Sequence, residues 1–63
     1  MNVGIKHYVL AIITTDKSIS SATIPVFHVE SKEDLQSKSL AISKCMMGMV
    51  HDVGNDTLII VKH

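Results

Sequence analysis

The sequence predicts an α+β fold, a three-stranded antiparallel sheet with one helix on one face, in the chain order β-β-α-β. Three observations carry this. KHYVLAIITT at 6–15 and TLIIVK at 57–62 are rich in β-branched residues and read as strands. Ser31, followed by the acids Glu33 and Asp34, has the chemistry of a helix start. Pro25 interrupts a further extended stretch, ATIPVFHVE at 22–30; it cannot donate a ladder hydrogen bond, so that strand belongs at a sheet edge.

In the first strand, odd positions give Val9, Ala11 and Ile13, and even positions give Tyr8, Leu10 and Ile12. Both faces are apolar, which predicts a central strand. DKSISS at 16–21 is polar and turn-like. A hairpin through this turn sets Ile13 near Ile24 and Val9 near His28. One face then carries Val9, Ala11, Ile13, Ile24 and Val26, the other Tyr8, Leu10, Ile12, Phe27 and Val29. The helix is expected over residues 32–52, with Gly54 ending it in a left-handed conformation and Asn55-Asp56 extending the turn. A right-handed crossover then places the third strand, 57–62, on the far side of the first, giving the spatial order 2-1-3.

A chain of 63 residues is read as one domain, 1–63. Such a domain buries only about 60% of the surface that its unfolded chain exposes. It needs a disulfide, a metal or an assembly to help it. The single cysteine excludes an internal disulfide and fits a reducing compartment, here the cytoplasm. Six basic and six acidic residues cancel. No field therefore draws the chain to nucleic acid or anionic lipid, and self-association meets no charge barrier. The longest apolar run, YVLAII at 8–13, falls far short of the roughly 20 residues of a membrane span. As a signal-peptide core it is also short, and Asp16 and Lys17 interrupt the approach to any cleavage site.

KCMMGMVH at 44–51 gathers the cysteine, three of the four methionines and a histidine. Soft ligands of this kind suit copper or zinc. Laid on a helix, however, the group divides. Leu35, Ser39, Ile42, Met46, Met49, Val50 and Val53 form the stripe facing the sheet, with Cys45 on its flank beside Ala41 as a small buried thiol. Leu40, Lys44, Met47 and His51 fall on nearly the opposite side. Cys45 and His51 cannot share an ion, and neither Cys45 with Met49 nor Met47 with His51 makes a four-ligand site. The histidines at 7, 28, 51 and 63 show no paired spacing, although His7, His28 and Glu30 form a loose polar cluster. No carboxylate pair or Gly-rich phosphate loop is present. The six lysines are dispersed, with no arginine and few aromatics, against the usual signature of nucleic-acid binding.

One helix cannot cover both apolar sheet faces, and an uncovered apolar face marks an interface. The reading is a small non-catalytic, self-associating protein-interaction module, an accessory protein of a bacterium or phage. It is expected to be a homodimer with a possible protein partner, and to take no cofactor or metal. Its interface residues are Leu40, Lys44, Met47 and His51 on the helix, and Tyr8, Leu10, Ile12 and Phe27 on the open sheet face. The alternatives are a nucleic-acid-binding regulator assembled by dimerisation and a small metal-handling protein.

Overall fold

A computed structural model describes residues 9–62. The elements are β1 (Val9–Thr14), β2 (Val26–His28), α1 (Lys32–Met46), β3 (Met49–Gly54) and β4 (Thr57–Val61). They form an α+β unit with a mixed four-stranded sheet in the order β2-β1-β4-β3. β1 pairs parallel with β2 and antiparallel with β4, and β3 pairs antiparallel with β4. The expected three-stranded antiparallel sheet in order 2-1-3 is therefore replaced, for two physical reasons.

First, β1 and β2 do not form a hairpin. Hairpin loops normally run to about 2–5 residues, whereas a parallel pair needs a crossover of about a dozen. Residues 15–25 are long enough to cross. Ile12 pairs with Val26 and Thr14 with His28, so Ile13 faces neither Ile24 nor the register expected for it. The crossover is held by its own polar groups. Asp16 donates its N–H to Thr14 Oγ1, and Asp16 Oδ1 accepts from the Ser18 hydroxyl at 2.6 Å and the Ser18 amide at 2.9 Å. Those Ser18 bonds, the hydroxyl first, hold the exposed Asp16 carboxyl below the usual carboxylate range. His28 Nε2 donates to the Ile19 carbonyl at 2.9 Å.

Second, the helix stops at Met46, and the second half of the expected helix is strand β3. The start is as expected: Ser31 Oγ accepts from the Asp34 N–H at 3.1 Å, and Glu33 and Asp34 lie in the first turn. At the other end Met47 turns left-handed at φ 59° and the chain reverses. Gly54 (φ 90°) does not cap a helix. It precedes Asn55 (φ 55°) and Asp56 (φ 54°), a two-residue turn with both central φ positive that joins β3 to β4.

α1 buries Leu35, Ser39 and Ser43, with Ile42 and Met46 half-buried beside them. This i, i+4, i+7, i+8, i+11 stripe covers one sheet face. Paired residues share a face, so Ala11 with Ile60 and Ile13 with Leu58 form the floor of the core, joined by Val29 and Leu35. Leu10 is the extra residue of a bulge between Val9 and Ala11 and also packs on the core. The opposite face carries Ile12 beside Ile59 and Val26, all half-buried. Thr14 and Thr57 lie at one end of it, with their hydroxyls 2.8 Å apart and buried. Two exposed ion pairs, Lys17–Glu30 and Lys32–Asp56, contribute little.

Candidate protein-interaction surface

The surface with the most exposed apolar side chains is built around the junction of α1 and β3. The helix ends in a Schellman arrangement. Gly48 N–H reaches the Ser43 carbonyl at 3.0 Å, and Met47 N–H reaches the Lys44 carbonyl at 3.4 Å. The left-handed position is one that glycine normally takes, because a side chain there crowds the backbone. Here it is methionine, and its side chain is 85% exposed. The bend needs Gly48 for a different reason: a Cβ there would lie 2.7 Å from Ile60 Cγ2.

Beyond the bend, β3 is exposed at every position. Val50 and Asp52 pair with Ile60 and Leu58 and so lie on the helix side, whereas His51, opposite Ile59, lies on the open side. Met49, Val50 and Val53 are all exposed apolar residues. Between β3 and α1 runs a groove of about 650 Å³ lined by Lys32, Glu33, Gln36, Ser37, Ser39, Leu40 and Val50. A smaller hollow of about 200 Å³ extends it past Asp52 to the β3–β4 turn. Ser39 in the groove is 1% exposed, and its hydroxyl has no hydrogen-bond partner among the described residues. Ser43, one turn on, satisfies its hydroxyl on the Leu40 carbonyl at 2.8 Å.

The residues singled out in the sequence are distributed differently from a single helical seam. Leu40 and Lys44 are exposed on α1, Met47 is in the bend, and His51 is in β3 on the open sheet face. The helix-stripe reading of Met49, Val50 and Val53 is corrected, because these residues are in a strand. Cys45 is exposed rather than buried, because at about 100° per residue it falls outside the buried stripe of α1. Ile12 is on the open face, Leu10 packs against the core, and Phe27 is partly exposed in β2. Tyr8, His7 and His63 lie outside the described residues. Val50, Val53 and the β3 edge were missed as surface features. The signal that could have found them is GND at 54–56 behind the β-branched MVHDV.

Among the described residues, no three of His, Cys, Asp and Glu are grouped to hold a metal ion. No helix among them is long and apolar enough to cross a membrane.

Residues 6–63 match the family described as the capping complex subunit for YIEGIA. The chain belongs to that family. A similar protein is the uncharacterized protein YpzH of Bacillus subtilis (strain 168), 25% identical over 63 residues, which span 100% of this chain and 98% of that protein. No solved structure matches.

For this member of the capping complex subunit family, the bend gives a direct prediction. Met47→Gly is expected to raise the unfolding free energy by about 1 kcal/mol by relieving the left-handed strain. Urea denaturation reads this as a higher midpoint at unchanged slope. A lower midpoint would mean that the methionine side chain makes a stabilising contact despite its exposure.

Proposed function

We propose that the chain is a non-catalytic binding subunit that joins a complex with a YIEGIA protein through the apolar surface at the α1–β3 junction. The observation that carries this is β3, a strand exposed along its whole length with Met47, Met49, Val50 and Val53 in or beside it. A monomeric protein gains nothing from such a surface, whereas a subunit buries it. The strained Met47 points the same way. Strain of this kind concentrates at functional positions, and a glycine there would be less costly to the fold. In this reading Leu40, Met47 and Val50 touch the partner. Lys44 lies at the rim. The exposed thiol of Cys45 suits a cytoplasmic setting.

Co-expression with the YIEGIA protein of the same organism, followed by purification on a tag carried by the small chain, tests the proposal. The two chains are expected to elute together in a fixed ratio. Separate elution at micromolar concentrations of both would sink it.

Self-association is a second reading, favoured by the open sheet face. There the half-buried Ile12 and Ile59 adjoin the paired row Val9, Val61 and Met49. Light scattering of the chain alone distinguishes a dimer from a monomer.

A further inference from the structure

We propose that β3 receives an extended segment of the partner protein as a fifth strand, and that alternate side chains of this segment enter the groove between β3 and α1. The inference rests on the subunit reading above and specifies how that subunit holds its partner.

The two edges of the sheet are unlike. β2 has three residues and follows Pro25, which shortens its ladder. Short strands and prolines are the usual protection of an edge. β3 has six residues, no proline and no lysine. In an antiparallel ladder, alternate residues turn both backbone groups away from the neighbour. β3 therefore offers a row of donors and acceptors on the side away from β4, which an extended chain matches and a helix does not.

The groove supplies side-chain selection. A strand laid along β3 directs every second side chain to the helix face, where the groove lies. At one end these side chains meet Leu40 and Val50, at the other Lys32 and Glu33. The fitting segment is apolar at the first end and polar at the second, with no need for net charge, because the two charged lining residues oppose each other. Ser39 is an independent sign of an absent ligand. Its buried hydroxyl lines the groove with no partner among the described residues, and such a group is costly to leave unpaired. A polar group of the bound segment that reaches it completes the pairing.

A second copy of this chain fits the edge poorly. Two-fold antiparallel pairing sets residues of the same face opposite each other. Centred on Asp52, it brings two carboxylates together; centred on His51, it sets Val50 of each copy against Asp52 of the other. Like charges directly opposite are destabilising. Centred on Val50, only the first half of β3 overlaps.

Hydrogen–deuterium exchange of the full chain, free and bound to the YIEGIA protein, tests the proposal together with affinity measurements on Leu40→Asp and Phe27→Ser. The expected result is slowed exchange across residues 49–54 but not 26–28. Leu40→Asp should weaken binding by at least about tenfold at unchanged melting temperature, and Phe27→Ser by less than about twofold. A complex protected at 26–28, or protected only outside β3, would overturn strand addition and leave the subunit reading standing. Protection of 49–54 that develops with concentration in the chain alone would assign the edge to a second copy. Absence of any complex would remove both proposals.

Discussion

Ile60→Ala is expected to leave most of the chain unfolded in buffer at room temperature. Ile60 is 0% exposed in a strand between two others, opposite Ala11 on one side and Val50 on the other. Truncating a buried isoleucine to alanine costs about 2–5 kcal/mol, because the lost methylenes leave a cavity that closes only in part. A single core in a chain of this size rarely supplies more than about 3–5 kcal/mol. The loss is thus comparable to the whole stability. Far-UV circular dichroism across a urea titration reads it directly. A cooperative transition at the original midpoint would show that the site collapses without cost and that the core is centred elsewhere.

Gly48→Ala has the next largest expected effect, a loss of about 1–3 kcal/mol by overpacking. The new methyl would lie 2.7 Å from Ile60 Cγ2, 3.0 Å from the Val61 carbonyl oxygen and 3.1 Å from Leu10 Cδ1. Leu10 can swing aside, but the Ile60 methyl is fixed by its β-branch and by burial. The same substitution combined with Ile60→Leu removes the branched methyl. The pair should therefore be less destabilised than the sum of its members. Additive losses would place the strain on the Val61 carbonyl alone.

The same contact explains where sequence reasoning stopped. The helix start was legible because Ser31, Glu33 and Asp34 act within one turn. β1 and TLIIV were legible because β-branching and alternation are local. The helix end was not. Ile42, Met46, Met49, Val50 and Val53 continue a helical period by accident, and methionine is a good helix former. What ends the helix is a glycine held against Ile60, twelve residues away, together with a methionine in a backbone state that glycine usually takes. A helix carried on to residue 52 takes GND as its cap, whereas these residues form the β3–β4 hairpin turn. The longer helix leaves the groove without a second wall. The exposure of Leu40 is legible because it follows from α1 alone, whereas Met47 is exposed in the bend and not on the helix. The exposed edge beside them depended on a strand that was not foreseen.

The pairing of β1 with β4 also sets the order in which this chain can close. α1, β3 and β4 follow one another through a two-residue bend and a two-residue turn, so they can come together locally. β1 must wait. Thr14 meets Thr57 across 43 positions of sequence, and the sheet has no centre until that long loop closes. On a ribosome, VLAIIT emerges well before TLIIV, its antiparallel neighbour. Through that interval an apolar strand with both faces and both edges open is exposed to every other nascent chain. The demand on chaperones falls on a strand that ends up between two others, with Ala11, Ile13 and Thr14 fully buried.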